Sequence, residues 1–133
     1  MRQTFVTFET EDTPGQLGRV TQALSDAGVN ILAYNSFQGN VAILPDNVDK
    51  ALTALKQKNV TCAKTECIAI DLPNTKGQLA RIATELGKAG VNIENSFGAA
   101  GRNPQGTIYL AVDNIQKAEP IVQKVAAPVP GAR

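Results

Sequence analysis

The sequence of 133 residues predicts an α+β protein made of two tandem units, each ordered strand, helix, strand, strand, helix, strand. Three observations support this prediction. One pattern occurs twice along the chain; each copy has segments of alternating polar and apolar residues; and each has segments with apolar residues three and four positions apart. Alternation is typical of half-buried strands, and the longer spacing is typical of amphipathic helices. The order is ferredoxin-like, with helices on one face of an antiparallel sheet.

The repeat is clearest where TPGQLGRV begins at Thr13 and TKGQLARI begins at Thr75, a spacing of 62 residues. Both copies continue to the letters AGVNI. The first-copy residues found again 62 positions later are Thr13, Gly15, Gln16, Leu17, Arg19, Leu24, Ala27, Gly28, Val29, Asn30 and Ile31. Matches this dense indicate that the half-chain is the structural unit. We therefore predict units at residues 1–65 and 66–133, packed side by side without a flexible linker.

Within each unit the elements follow in the same order. The predicted strands are residues 4–10, 29–37, 40–45 and 60–65 in the first unit and 66–72, 91–100, 105–113 and 126–130 in the second. The first helix of each unit has an apolar stripe, formed by Leu17, Val20, Leu24 and Ala27 and by Leu79, Ile82, Leu86 and Ala89. The second helices are predicted at residues 46–59 and 113–125.

Both first helices have a start signal. Thr13 followed by Gln16, and Thr75 followed by Gln78, match the capping-box pattern. Pro14 would then occupy the first helical position, where a missing N–H costs nothing. The sequence therefore predicts that Thr13 and Thr75 are the N-caps.

The other helix ends are also signalled. Gly28 and Gly90 stand where a left-handed C-cap is expected. Asp-Asn pairs at residues 46–47 and 113–114 suit the starts of the second helices. Pro120 is expected to shorten or kink the last helix.

Composition excludes several function classes. The net charge of +1 argues against an electrostatic grip on nucleic acid or on an anionic membrane. The N-terminus lacks the apolar run of a signal peptide, and no stretch is long and apolar enough to span a membrane. Cys62 and Cys67 are expected to be reduced thiols packed as small apolar residues, which favours the cytoplasm.

Nothing in the sequence favours catalysis. There is no histidine, so the commonest general base and zinc ligand are missing, and no phosphate-binding loop motif is present. Glu9, Glu11 and Asp12 cluster before the first helix, but an acidic helix start is common for dipole reasons alone. We predict a protein that is not an enzyme and that has no cofactor and no metal.

The two loops and helix starts resemble the ACT domain, a regulatory module that senses amino acids. The motif is a strand, D/N-x-P-G-x-L, a helix and G-V-N-I, present as residues 12–17 with 28–31 and as residues 74–79 with 90–93. Lys76 replaces the usual proline in the second copy, which makes equal affinity at two sites doubtful. The resemblance covers most of the chain, as two tandem ACT units.

The resemblance implies a free amino acid bound where two such domains meet. One site would combine the first loop with the strand residue Asn92, and its pseudo-symmetric counterpart would combine the second loop with Asn30. The ligand-binding residues implied are Asp12, Thr13, Pro14, Gly15, Gln16, Leu17 and Asn92 for one site and Asn74, Thr75, Lys76, Gly77, Gln78, Leu79 and Asn30 for the other.

The residue chemistry suits a zwitterion. Free N–H groups at a helix start favour a carboxylate, and glycine removes a side chain that would block the approach of a ligand to the backbone. Asp12 can pair with the ammonium, whereas Asn74 accepts a hydrogen bond without adding charge. Simpler roles stay open: Gly15 and Gly77 as turn residues, and the Asp and Asn residues as local turn formers.

Three functions follow. The first is a non-catalytic regulatory protein that binds an amino acid and signals to a regulated enzyme or regulator of amino-acid metabolism. The alternative is an interaction module of the same fold that forms a dimer without a ligand; a homodimer through the helix-free sheet face is expected in either case. The third is a small enzyme or a nucleic-acid binder of the same topology. The nucleic-acid binder lacks the aromatic-rich strands that stack bases, and an acylphosphatase-like enzyme or a metal carrier lacks its loop or its cysteine pair.

Overall fold

The computed structural model describes residues 1–99, 102 and 104–126, which form six strands and four helices. The strands are β1 (Arg2–Glu9), β2 (Ile31–Phe37), β3 (Asn40–Pro45), β4 (Cys62–Pro73), β5 (Ile93–Ala99) and β6 (Gln105–Val112). The helices are α1 (Gln16–Asp26), α2 (Val48–Gln57), α3 (Gln78–Lys88) and α4 (Ile115–Ala126). The predicted element order is therefore present as far as α4, and Pro120 does not shorten α4, which continues to Ala126.

The chain divides into two compact units. The first unit is Thr4–Thr65, and the second unit is Met1–Gln3 together with the residues from Glu66 onward. The strand order is β2-β3-β1-β4 in the first unit and β1-β4-β6-β5 in the second. The predicted boundaries at residues 1–65 and 66–133 differ from this division in Met1–Gln3.

The first residues of the chain complete the sheet of the second unit. The N–H of Ala69 donates to the carbonyl of Met1 at 2.9 Å, and the terminal amino group of Met1 donates to the carbonyl of Ala69 at 3.2 Å. The last strand predicted for this unit, residues 126–130, begins with the final residue of α4, and its remainder lies outside the described residues. In the described structure it is the N-terminus that pairs with β4.

The two units use the same strand register. Val6 of β1 lies opposite Ile43, and Ile68 of β4 lies opposite Leu110. Val6 and Ile68 are equivalent residues of the repeat, so each unit pairs its first and third strands at the same position. The strands predicted at residues 60–65 and 66–72 form one strand, β4.

Each unit has a hydrophobic core between its helices and its sheet. The middle of each helix stripe is buried as predicted, whereas Leu17 and Leu79 at the helix starts are exposed. The first core contains Val6, Phe8, Val20, Leu24, Val29, Val41, Ile43, Ala51, Ala54, Leu55 and Val60. The second contains Ile68, Ile70, Leu72, Ile82, Leu86, Val91, Leu110, Ala118, Val122 and Val125.

The other face of the first sheet is also buried. Phe5, Ala42 and Leu44 alternate with core residues along their strands and therefore point away from the helices. All three are nevertheless buried within the single chain. Phe37 of β2, on the same face, is 68% exposed, and the homodimer through this face stays a prediction.

The helix C-termini are as predicted. Gly28 has a φ of 79°, its N–H donates to Ser25, and the N–H of Val29 donates to Leu24, which together form a Schellman motif. Gly90, with a φ of 77°, repeats this arrangement. Asparagines begin the second helices: the side chains of Asn47 and Asn114 accept from the N–H groups of residues 50 and 117 at 3.0 and 3.1 Å.

The predicted starts of α1 and α3 are wrong. The N-caps are Gly15 and Gly77, not Thr13 and Thr75, and neither helix has a side-chain cap. Pro14 consequently lies before the helix and not at its first position. With Gly15 as the N-cap, α1 begins at Gln16, two residues later than predicted.

Candidate ligand site

The first loop runs from the end of β1 to α1. Asp12, Thr13 and Pro14 are exposed, and Gly15 has a φ of 85° immediately before the helix. Gln16 is half-buried, and its Oε1 accepts from Nε of Arg19 at 3.3 Å, while Leu17 is exposed. Residues 12–17 thus form a contiguous and largely accessible surface at the start of α1.

A glycine that the sequence analysis missed holds this loop against the β2–β3 turn. The N–H of Thr10 donates to the carbonyl of Gly39 at 2.7 Å. Gly39 has a φ of 83°, and a Cβ at this position would lie 2.3 Å from the carbonyl oxygen of Thr10. Only glycine permits this approach. The letters SFQGN at residues 36–40, with two residues between two predicted strands, were the available signal, because glycine is frequent in tight hairpins.

The second loop is equivalent but has different contacts. The N–H of Asn74 donates to the carbonyl of Pro104 at 2.8 Å, and the N–H of Thr75 donates to that of Pro73 at 2.8 Å. Lys76 is exposed, and Gly77 has a φ of 91°.

The two residues that follow Gly77 differ in their surroundings. Gln78 is half-buried, and its Nε2 donates to the Thr75 hydroxyl at 3.1 Å, whereas Leu79 is exposed. The Thr-x-x-Gln pattern therefore produces a contact between two side chains in this loop, not the predicted cap.

Both loops present an uncapped helix N-terminus. The ψ angles of Gly15 and Gly77 are −12° and −7°, close to each other like their φ angles. A Cβ on either glycine would meet no atom within 4 Å, so the backbone conformation and not crowding requires glycine. Helix-start N–H groups without a side-chain cap are suited to an anion such as a carboxylate.

Asn30 and Asn92 lie just before β2 and β5 and are exposed. The N–H of Asn30 donates to Oδ1 of Asp46 at 3.0 Å, and the N–H of Asp46 donates back to Asn30 at 2.9 Å. Asn92 and Asp113 make the same pair of bonds at 3.0 and 3.1 Å. The backbones of these asparagines therefore join a strand start to a helix start.

Within one unit the loop and the asparagine lie at opposite ends of the sheet. Along β2, Ile31 pairs with Pro45, whereas Phe37 pairs with Asn40, which also pairs with Glu9 beside the loop. Seven strand residues at about 3.3 Å each separate the two ends by about 20 Å. A loop therefore cannot share one ligand with the asparagine of its own unit. The predicted combinations, Asp12 with Asn92 and Asn74 with Asn30, join different units and stay predictions.

A cavity of about 320 Å³ adjoins the second loop. It lies between the start of α3 and the loop end of β5 and β6, within the second unit. Its lining consists of Leu72, Pro73, Asn74, Thr75, Gln78, Leu79, Ser96, Phe97, Gly98, Ala99, Gly106, Thr107 and Ile108. Four residues predicted to bind a ligand, all in the second loop, are thus brought together at one cavity.

The first unit has a cavity in a different place. This cavity of about 430 Å³ lies between α1 and the β2 edge of the sheet, and Leu17 is the predicted site residue that it contains. Leu17, Gly18, Thr21, Ile31, Tyr34, Val41 and Ile43 line it. Asp12 to Gly15 do not contribute, so the two units differ around otherwise similar loops.

The described residues show neither a metal-binding cluster nor a membrane-spanning helix. Among residues 1–99, 102 and 104–126, no group of His, Cys, Asp and Glu is placed to hold a metal ion. None of the helices in this part of the chain has the length and hydrophobicity to cross a bilayer. Cys62 and Cys67 are free thiols, and burial raises the pKa of Cys67 to about 11.

Comparisons with known proteins agree on the fold. The chain is similar to protein BT0572 from Bacteroides thetaiotaomicron, with 26% identity, a TM-score of 0.83, and coverage of 93% of this chain and 88% of that one. It is also similar to the regulatory subunit of aspartate kinase from Thermus thermophilus, solved ligand-free, with 18% identity, a TM-score of 0.68, and coverage of 95% and 92%.

A third similar structure is a larger enzyme. It is E. coli aspartokinase III in complex with lysine and aspartate, with 18% identity and a TM-score of 0.61. The similarity covers 93% of this chain but 30% of that one. No protein-family model and no curated protein matches the chain in sequence. The fold is therefore the ACT-like fold found in aspartate kinase regulatory regions.

Proposed function

We propose that this chain is a non-catalytic regulatory protein of two tandem ACT units, residues 1–65 and 66–133, packed side by side. It binds a free amino acid where the two units meet and signals to a partner in amino-acid metabolism. The observation that carries this proposal is the duplicated loop, which presents an uncapped helix start behind a glycine of nearly the same φ, 85° and 91°. The regulatory subunit with a similar fold and the aspartokinase solved with lysine and aspartate support it.

Each part of a zwitterion has a matching group. The N–H groups at the starts of α1 and α3 attract the carboxylate. Asp12 pairs with the ammonium at the first loop, and Asn74 accepts a hydrogen bond from it at the second. Asn92 and Asn30 supply amide contacts from the opposite unit. Their backbone groups bond to Asp113 and Asp46, and both residues are exposed.

Regulation follows from linkage. A ligand held by two units stabilises the arrangement for which it has the higher affinity, and a partner enzyme or regulator reads that arrangement. The partner is a protein of amino-acid metabolism in the cytoplasm. No cofactor takes part, and neither nucleic acid nor a membrane is a binding partner.

The test is a thermal-shift panel of the common amino acids at millimolar concentration. At least one amino acid is expected to raise the melting temperature of the wild type, because a ligand of the folded state stabilises it. Gly15→Asp and Gly77→Asp place a carboxylate where the ligand carboxylate binds and should remove the response. Gly28→Asp is the matched control, since it makes the same change at another exposed glycine with a positive φ, 79°, and no atom within 4 Å of an added Cβ. Absence of any response would contradict the proposal.

The second candidate function is an interaction module that needs no ligand. Three large apolar residues of β2 favour it, because Leu32, Tyr34 and Phe37 are 59%, 64% and 68% exposed. A homodimer that covers them is the expected form. If the glycine variants leave the oligomeric state unchanged and no amino acid binds, this function replaces the first.

A further inference from the structure

The cavity beside the second loop is lined by small residues of β5. Ser96, Gly98 and Ala99 line it, whereas the equivalent positions of β2 hold Tyr34, Ser36 and Phe37. Gly98 cannot carry a side chain, because a Cβ there would lie 2.5 Å from the carbonyl oxygen of Thr107. The first unit also has a cavity between its first helix and its edge strand, lined by Tyr34. The small residues of β5 therefore distinguish the lining of the second cavity and are not the cause of its opening.

The walls of this cavity are mainly hydrocarbon. Leu72 is buried in the core at its base, Ile108 is half-buried, and Leu79 projects at its rim. Phe97 pairs with Tyr109, which points, like Thr107, to the opposite face of the sheet, so the two stacked rings, with a centroid distance of 5.2 Å, lie on that face. A hydrocarbon group placed in the cavity gains the free energy of leaving water, about 25 cal/mol for each Å² buried.

None of the described residues that line the cavity is charged. Asp71 precedes Leu72 in β4, so its side chain points to the opposite face of the sheet, where its carboxylate accepts from the Thr107 hydroxyl at 2.6 Å. A charged ligand side chain would lose its hydration in the cavity without meeting an opposite charge. The lining therefore discriminates against lysine, arginine, aspartate and glutamate.

One polar atom at the cavity lacks a partner. Gln78 uses its Nε2 to donate to Thr75, but its Oε1 is buried with no hydrogen-bond partner among the described residues. A buried oxygen of this kind costs free energy until a donor reaches it. The ammonium of an amino acid bound at the second loop supplies such a donor once the Gln78 side chain turns its Oε1 towards the cavity.

We propose that the cavity receives the side chain of the bound amino acid and selects a neutral, apolar one, branched aliphatic or aromatic. The head group lies at the second loop, with its ammonium donating to Oε1 of Gln78. The inference rests on the proposed function and specifies its ligand class. The volume of about 320 Å³ is at the small end for ligand pockets, which suits a single amino acid.

Isothermal titration calorimetry on the full chain tests this inference. Leucine, isoleucine, valine and phenylalanine are compared with lysine, arginine, aspartate and glutamate. At least one apolar amino acid is expected to bind, with an affinity at least about tenfold higher than that of any charged one. The reason is that burying an unpaired charge costs more than about 1.4 kcal/mol, the free energy that corresponds to a tenfold change in affinity.

Two variants locate the side chain. Ser96→Tyr introduces the residue found at the equivalent position of the first unit and should weaken apolar ligand binding at least about tenfold by filling the cavity. The matched control Tyr34→Ser makes the reverse change in the first unit and should leave the affinity at the second loop unchanged. Gln78→Met keeps the length of the side chain but removes the acceptor oxygen, which should weaken ligand binding about tenfold. If Ser96→Tyr does not fold, this variant tests whether the ligand lies in the cavity.

The outcomes separate this inference from the function on which it rests. If lysine or aspartate binds and the apolar amino acids do not, the regulatory function stands and the ligand class is wrong. If apolar amino acids bind and folded Ser96→Tyr and Gln78→Met keep full affinity, the cavity is not the site. If no amino acid binds, both proposals fail.

Discussion

The two loops share a backbone conformation at their glycines but differ in the charge and rigidity of the neighbouring residues. Gly15 and Gly77 share their conformation, and both precede an uncapped helix, but Asp12 and Pro14 of the first loop are replaced by Asn74 and Lys76 in the second. Duplication has thus kept the geometry that presents N–H groups and changed the charge and stiffness beside it. If both loops bind ligands, they should differ in affinity and selectivity.

The edge strands show the same divergence. Leu32, Tyr34 and Phe37 of β2 are exposed, whereas the equivalent positions of β5 hold Glu94, Ser96 and Ala99. The substitutions remove exposed apolar surface from the edge strand of the second unit. Each unit nevertheless has a cavity beside its first helix, and the two cavities differ in their lining residues. Four experiments measure differences between the two units.

The largest effect is expected in the cores. Leu24→Ala and Leu86→Ala change equivalent, fully buried residues of α1 and α3. Each should lower the free energy of unfolding by about 2–5 kcal/mol, because it removes buried methyl groups and leaves a cavity. Urea denaturation measures both. A loss below about 1 kcal/mol for one variant would mean that its unit is packed more loosely than the other.

The two cysteines of β4 should differ strongly in reactivity. Burial raises the pKa of Cys67 to about 11, so about one thiol in a thousand is deprotonated at pH 8. Its alkylation should therefore be at least about a hundredfold slower than that of an ordinary thiol, and Cys62, which is half-buried, should react first. Mass spectrometry of iodoacetamide adducts follows each site, and denaturant should equalise them. Equal rates in the native protein would contradict the burial of Cys67.

Exchanging the loop residues tests whether the backbones are the same. Lys76→Pro should raise the free energy of unfolding by about 0.4–1 kcal/mol, and Pro14→Lys should lower it by a similar amount, since proline restricts the unfolded chain. Urea denaturation again provides the values. Destabilisation by Lys76→Pro would show that the second loop cannot adopt the first loop's conformation.

The smallest effect concerns the N-terminus. Nε of Arg2 donates a hydrogen bond to the Glu119 carboxylate at 2.6 Å. This hydrogen bond holds the pKa of Glu119 below its ordinary value, and the positive charge of Arg2 contributes in the same direction. The associated stabilisation is present above the unfolded-state pKa and disappears as the pH falls through the lower folded-state value. Arg2→Ala should raise the pKa of Glu119, as measured by NMR titration. The stability difference from the wild type should vanish at acid pH; a difference that persists there would have another origin.

Local sequence signals predicted much of each unit. Gly28 and Asn47 adopt their predicted roles because a C-cap or an N-cap depends on a few neighbouring residues. The helix stripes and strand segments were predicted for the same reason, since their periods of 3.6 and 2 are local. The prediction that Thr13 caps the helix was wrong. Gly15, two residues later, adopts a positive φ and is the N-cap, and this preference of glycine is equally local.

The sequence by itself determined the duplication, the element order, the ACT resemblance and the residues of both loops. Each of these depends on residues that are close together in the chain, in patterns that occur twice. Tertiary structure decided the rest. It placed Met1–Gln3 beside β4, brought Gly39 against Thr10, and left a cavity by the second loop where Ser96 and Gly98 replace larger residues. Such features depend on residues distant in the chain meeting at one place, and no local pattern specifies which distant residues meet.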